Sequence, residues 1–343
     1  MIKHLFLLIF SSFLFQQLYA QDSSPFLVQK GDSLTIAFGS CNKQDAPQPL
    51  WDDIIAHQPD VFLFLGDNIY GDTEDMEVMK SKYDLQYAHR EYARLRQQAK
   101  IVGVWDDHDY GKNDAGNEFA KKEESQQLLL DFFEVPKDSP LRTREGVYSA
   151  NTVKVGEHAV KIILLDARYH RDELKREDGV YQPNNSGTIL GKEQWKWLEE
   201  ELSDKDVSLY IIASGIQFIP EDHRFEKWAN FPNERQKLFD LIASSEAKGT
   251  LLLSGDRHIA EISTMDWNGL PYPLVDFTSS GMTHTWTDIP KEYNRHREGE
   301  IIAELNYGIL NLSVDEDGNL EVNGEIRGDE QKLLLRKNLS FSK

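Results

Sequence analysis

The chain reads as an α/β protein with a largely parallel sheet core. Two observations carry that reading. Short apolar runs rich in β-branched residues recur along the chain, and each stops at a polar cluster. Between them lie stretches whose apolar residues follow helical spacing. Strand and helix in alternation is the pattern of an α/β fold.

In chain order, LTIAF (34–38) stops at Gly39, Ser40 and Cys41, and VFLFL (61–65) stops at Gly66, Asp67 and Asn68. IVGVW (101–105) stops at Asp106, Asp107, His108 and Asp109. VKIILL (160–165) runs into Asp166, Ala167 and Arg168, and LYIIA (209–213) into Ser214 and Gly215. TLLLS (250–254) ends at Gly255, Asp256, Arg257 and His258. Runs apolar at every position read as strands buried on both faces. Helices are expected over 49–57, where Trp51, Ile54 and Ile55 share a face, and over 80–98, 118–133, 192–202 and 234–244. From about 274 onward the texture alternates like antiparallel strands, with Asp317 and Gly318 as a hairpin turn. That stretch reads as a second sheet of the same domain, since no Pro/Gly/Ser linker marks a boundary.

Residues 1–20 stand apart. Lys3 precedes an apolar core of secretory-signal length, and Leu18, Tyr19 and Ala20 before Gln21 form a plausible cleavage site. The expectation is an exported protein, periplasmic or secreted, with residues 21–343 as its catalytic domain. No cysteine follows the cut, which argues against a lipoprotein anchor. No other run is apolar enough to cross a bilayer. The net charge of −20 excludes a sequence-independent grip on nucleic acid, which needs a basic surface. It suits a protein that recruits cations. The single cysteine, Cys41, rules out an internal disulfide.

In open α/β sheets ligands bind beyond the carboxyl ends of the strands. The polar clusters sit at those ends, so Cys41, Asp67, Asn68, Tyr70, Asp72, Asp106, Asp107, His108, Asp256 and His258 are expected to converge. Clustered buried carboxylates are costly and repel one another. Cations resolve both problems. A carboxylate shared by two metal ions about 3.5–4 Å apart is the usual device of two-metal hydrolysis, and Asp67 is best placed for it.

Four motifs in this order resemble a known family: Ser40-Cys41 after the first strand, Gly66-Asp67-Asn68-Ile69-Tyr70 after the second, Trp105-Asp106-Asp107-His108-Asp109 after the third, and Gly255-Asp256-Arg257-His258 near the end. The layout is similar to that of calcineurin-like metallophosphoesterases, and its details resemble the PhoD-like, or alkaline phosphatase D, branch over about 34–285. The chain departs from the wider superfamily in lacking Asp-x-His at the first strand and the usual histidine in ASGIQF (213–218). The resemblance implies a four-layer αββα sandwich and hydrolysis of phosphate mono- or diesters by metal-hydroxide attack. It implies Fe3+ and Ca2+ as cofactors, with another divalent pair as the alternative. A thiolate, a phenolate and a carboxylate together do favour a trivalent, polarising ion.

On this reading the metal ligands are Cys41, Asp67, Tyr70, Asp107, Asp256 and His258. His108 is the proton donor to the leaving alkoxide. Arg168 is a phosphate clamp, and Asn68 and His284 touch substrate. Asp72 and Asp109 support the ligands without joining them. Blander readings stand beside these: Cys41 as a core thiol, Tyr70 as packing, His108 as a structural histidine, Arg168 as an ion-pair partner, Asn68 as a turn cap. His89 and His223 carry no motif and read as surface. Two other function classes remain open, a non-catalytic cation-binding protein and a hydrolase using Cys41 as nucleophile.

Overall fold

The computed structural model describes residues 31–245, 247–287 and 292–342, so the expected signal segment lies outside the described residues. In chain order the elements open with β1 (Ser33–Gly39), α1 (Trp51–Ala56), β2 (Val61–Leu65), α2 (Met76–Tyr87), α3 (Arg90–Gln98) and β3 (Lys100–Val104). Then come α4 (Asp107–Tyr110), α5 (Lys122–Phe132), β4 (Ser149–Val155), β5 (His158–Leu164) and a short hairpin, β6 (Arg176–Glu177) with β7 (Val180–Tyr181). The chain continues through α6 (Gly191–Glu201), β8 (Val207–Ser214), α7 (Pro232–Ser244), β9 (Thr250–Ser254), β10 (Ala260–Met265) and β11 (Leu274–Ser279). It closes with β12 (Arg297–Ile302), β13 (Tyr307–Val314), β14 (Leu320–Arg327) and β15 (Leu333–Phe341).

Two large sheets result, ordered β15-β14-β13-β1-β2-β3 and β12-β10-β11-β9-β8-β5-β4. The apolar runs pair in parallel within each: β1 with β2 and β2 with β3, then β5 with β8 and β8 with β9.

Period-two side-chain alternation sorts every run between two cores. Ile36, Phe38, Leu63, Leu65, Leu209, Ile211, Leu251 and Leu253 point between the sheets. Ala37, Phe62 and Phe64 point the other way, onto Trp51, Tyr83, Tyr92 and Phe132 of the first helical layer. Ile163, Tyr210, Ile212 and Leu252 face Trp195, Leu198, Leu238 and Ile242 of the second. Helices, sheet, sheet, helices: this is the four-layer αββα sandwich.

Two expectations need correction. The strands after 274 do not form a sheet of their own. β11 adds in parallel to β9, whereas β13 pairs antiparallel with β1 and carries β14 and β15 with it. The switch of sheets falls earlier, between β3 and β4, where apolar runs carry no mark of which sheet they join. The helix expected over 80–98 is broken at Ala88 and His89, giving α2 and α3. Met79, Tyr83 and Gln86 are buried on α2, and Tyr92 and Leu95 on α3. At 3.6 residues per turn one continuous helix would aim those two faces apart, so the break resets the phase. The Asp317-Gly318 hairpin is present, closing β13 onto β14 through Asp315 and Asn319.

Candidate metal centre

The carboxyl ends of β1, β2, β3 and β9 meet at one rim of the sandwich. Gly66 lets them approach. Its φ is +89°, and a Cβ there would lie 2.4 Å from Cβ of Asp106 and 2.7 Å from its amide nitrogen. Gly215 does the same at the end of β8, where a Cβ would meet Asp106 Oδ1 at 2.4 Å.

The rim is also where the backbone is strained. Cys41, Asp67, Asp72, Asp256 and His258 all sit in the left-handed region, with φ of 59°, 50°, 46°, 70° and 53°. Such conformations persist where the surroundings over-determine them, characteristically at functional sites. Asp109 supplies part of that constraint. Its carboxylate accepts from the amides of Asp67 at 3.1 Å and Asp106 at 2.8 Å and from Asn68 Nδ2 at 2.5 Å.

Three sets of donor atoms lie close enough to share ions: Cys41, Asp67 and His258; Asp67, Asp107 and His108; and Asp106, Asp107 and Asp256, with ligand atoms within 4.8 Å of one another in each. Asp67 and Asp107 each belong to two of them. Asp67 Oδ2 lies 3.5 Å from Cys41 Sγ and 3.4 Å from the Tyr70 hydroxyl. His258 Nδ1 and Asp106 Oδ2 are buried without a hydrogen-bond partner. Buried polar atoms are rarely left so without reason. The donor set therefore fits a pair of cations, with the thiol, the phenol and Asp67 on one side and Asp107 and Asp256 on the other.

The electrostatics point the same way. Burial raises Asp67 well above the usual carboxylate range, and Asp107 adds to it. Burial and then Asp107 likewise raise Asp256. Burial followed by Asp67 pushes the Cys41 thiol up, and burial followed by Cys41 does so for the Tyr70 phenol. Burial works against ionisation of Asp107 too, yet Arg168 and His108 hold it at about 2. His108 is the mirror case: burial opposes its charge, but Asp107, the hydrogen bond to Asp72 and Asp67 raise it to about 10. Burial, His284 and His108 depress His258 to about 3, the neutral form a metal requires.

The remaining candidates divide. His108 Nδ1 lies 2.8 Å from Asp72 Oδ1, which leaves Nε2 for chemistry. The His284 ring sits 4.5 Å from that of His258 and 5.0 Å from Tyr70, inside the cluster. Arg168 does not serve as the expected clamp. Its side chain is 0% exposed, with Nη2 2.6 Å from Asp106 and Nη1 2.6 Å from Glu226. Every arm of the fork is spent behind the metal centre. Asn68 is likewise fully buried, and its Nδ2 donates to Val104 O at 3.0 Å and to Asp109. It braces the turn and is out of reach of substrate. His223, read as surface, is buried, and burial depresses its pKa strongly.

Sequence reading missed Arg171 and Glu226, which pair at 2.9 Å and complete the array behind Asp106. It also missed Asp114, whose amide donates to Asp107 Oδ2 at 2.7 Å and orients that carboxylate. A signal existed for Glu226: a Glu-Lys pair inside the aromatic stretch from Phe225 to Phe231.

A two-sheet sandwich with a strained, carboxylate-rich cluster at its strand ends is a metallophosphoesterase-like architecture. The chain belongs to the PhoD-like phosphatase family, whose model matches residues 36–325. It is 22% identical over 275 residues to alkaline phosphatase D of Bacillus subtilis (strain 168), an alignment covering 68% of this chain and 47% of that protein. The chain thus spans about half the length of that curated relative. Its fold is that of a solved PhoD structure, with a TM-score of 0.72, 17% identity, and coverage of 91% of this chain and 72% of the other. A dimetal phosphatase from Danio rerio aligns at a TM-score of 0.49 and 13% identity, over 90% of this chain and 98% of its own.

Proposed function

We propose that this protein is an exported metal-dependent phosphoesterase that hydrolyses phosphate mono- or diesters. The observation that carries the reading is Asp67, which like Asp107 belongs to two donor sets and, alone of the two, also meets the Cys41 thiol and the Tyr70 hydroxyl, in a site with more buried acid than base. Cys41, Asp67, Tyr70 and His258 would hold one ion and Asp67, Asp107 and Asp256 the other. The trivalent-plus-divalent assignment, Fe3+ with Ca2+, is supported by the thiol and phenol both lying within 3.5 Å of the same carboxylate oxygen. When bound, the ions supply charge neutralisation for the phosphate and activation of water.

The chain's own part is proton placement and positioning. Asp72 fixes the His108 ring through Nδ1, so the proton on Nε2 faces the site. As water oxygen bonds to phosphorus and the ester P–O bond breaks, His108 gives that proton to the leaving alkoxide. Neutralising Asp67 and Asp107 with cations removes much of what raises His108, so its proton becomes easier to give. Arg168 acts indirectly, through Asp106.

A cysteine hydrolase fits poorly. Cys41 is 0% exposed and its thiol is pushed up, the reverse of an activated nucleophile.

The test is turnover of aryl phosphate mono- and diesters by metal-loaded protein, alongside metal content by mass spectrometry. No turnover of either, with metal bound, removes the enzyme reading in favour of a cation-binding protein. If iron is bound, the protein is tinted by tyrosinate charge transfer, and Tyr70→Phe shifts or abolishes the band. A colourless, active protein holding only zinc or calcium refutes the iron assignment and leaves the phosphoesterase reading standing.

A further inference from the structure

We propose that the cleft beside the metal centre is a stacking site for a flat aromatic group esterified to the substrate phosphate, with Trp286 as its platform. This rests on the phosphoesterase reading and narrows its substrate class.

The cleft is lined by Asp107, His108, Asp256 and His258, among others, and has a volume of about 180 Å³. A cavity of about 150 Å³ takes a benzene ring. Three aromatic side chains stand among its charged lining, Tyr181 of the β6–β7 hairpin, Phe225 and Trp286, with Arg176 and Arg257 beside them.

Trp286 has 42% of its surface exposed, among few large apolar side chains in the described residues left that open. Burying such a ring is among the most favourable packing events available to a chain, so its exposure here needs a reason. It is also pinned. Its amide donates to the carbonyl of His258 at 3.1 Å, tying it to a metal-ligand residue. Its ring lies 7° from parallel to the His258 ring, 5.8 Å away, and Phe225 meets it edge-on at 4.9 Å. Phe225 is backed in turn by the Arg257 guanidinium, 4.3 Å from its centroid and held by Glu292 at 2.7 Å. The opposite wall is braced as well, since the Tyr181 hydroxyl donates to Asp114, whose amide orients Asp107.

The aromatic side chains and the metal ligands are thus one connected construction. A group one ester bond away from a phosphorus seated over Asp67 and Asp107 reaches this cleft. A planar π-face gains from pre-oriented rings what a puckered alkyl ring of equal size does not. Stacking of a flat ring on an aromatic side chain is sequence-tolerant and strong, as with nucleobases.

The experiment compares benzyl with cyclohexylmethyl esters, each as the phosphate monoester and as the methyl diester. The leaving groups are primary alcohols of the same ring size, so chemistry is held nearly constant. Wild-type protein is expected to favour the benzyl ester in kcat/KM by about tenfold or more. Trp286→Ala should collapse that ratio toward unity, and Trp286→Phe should keep most of it. Equal kcat/KM for both esters in the wild type, or a ratio unchanged in Trp286→Ala, overturns the proposal. If wild-type protein turns over none of these esters, the phosphoesterase reading is decided separately by the aryl phosphates. The stacking site is then decided by binding of benzylphosphonate against cyclohexylmethylphosphonate, measured by calorimetry. A benzyl preference lost in Trp286→Ala upholds it, and no preference overturns it.

Discussion

Two buried charged regions lie side by side at the strand ends, and they are built on opposite principles. Behind the rim, Arg168 and Arg171 face Asp106 and Glu226, two cations against two acids, with contacts of 2.6–2.9 Å and hardly any exposure. At the rim, Asp67, Asp107 and Asp256, with a thiol and a phenol, face three partly exposed histidines, of which only His108 is held protonated while His258 and His284 are depressed. The first region carries its own counter-charge and the second does not. A buried array that balances itself is architecture; one that does not is made for charge from outside. This is why Arg168, the natural candidate for a phosphate clamp, turns inward.

Asp67→Asn should have the largest effect, because it removes the oxygen two ions would share. Loss of both metals by mass spectrometry and a fall in turnover of about a thousandfold are expected. Retention of two metals with near-normal turnover would show that Asp67 is not shared. In ion-free protein the same variant should be no less stable than wild type, since it relieves repulsion among the acids.

Arg168→Met should behave the other way. It leaves Asp106 buried and uncompensated and Glu226 with Arg171 alone, a change worth about 3–5 kcal/mol. Urea unfolding in chelator should show that loss, and an unchanged midpoint would break the distinction between the regions. The variant's turnover should fall through misplacement of Asp106, not through weakened phosphate affinity, so kcat falls more than KM rises.

A smaller effect concerns pH. His108 is raised to about 10 in the ion-free protein, against an ordinary value of about 6.5. A raised group stabilises fully below its unfolded value, and that stability drains away as pH rises through the folded value. Asp67 and Asp256, raised by burial, act in the same direction, losing stability as pH rises above the ordinary carboxylate range. Histidines depressed by burial, His258 at about 3 and His223, work in the opposite sense up to about 6.5, so ion-free protein should lose thermal stability as pH rises from about 6.5 to about 10. Metal-loaded protein and ion-free Asp67→Asn should show a flatter profile, and a curve that rises with pH above about 6.5 in ion-free protein would contradict the assignment.

Much of this molecule was legible before any coordinates. The six apolar runs became β1, β2, β3, β5, β8 and β9 with ends shifted by a residue or two, because a strand buried on both faces has no polar position to hide it. The clusters after four of them met as expected, because parallel strands deliver their carboxyl ends to one rim. What one chain cannot announce is partnership across long separations. Whether 149–155 opens a new sheet, or 307–314 returns to pair with 33–39, depends on loop closure and layer packing that leave no local mark. The same limit governed the site. That Cys41, Asp67, Tyr70, Asp107, Asp256 and His258 would converge could be read from residue type and strand-end position, whereas the partners of Arg168 and Asn68 were decided by which way each side chain pointed once Glu226, Asp106 and Asp109 had folded around them. Residue type sets what a side chain can bind, and tertiary packing sets which of its possible partners arrives first.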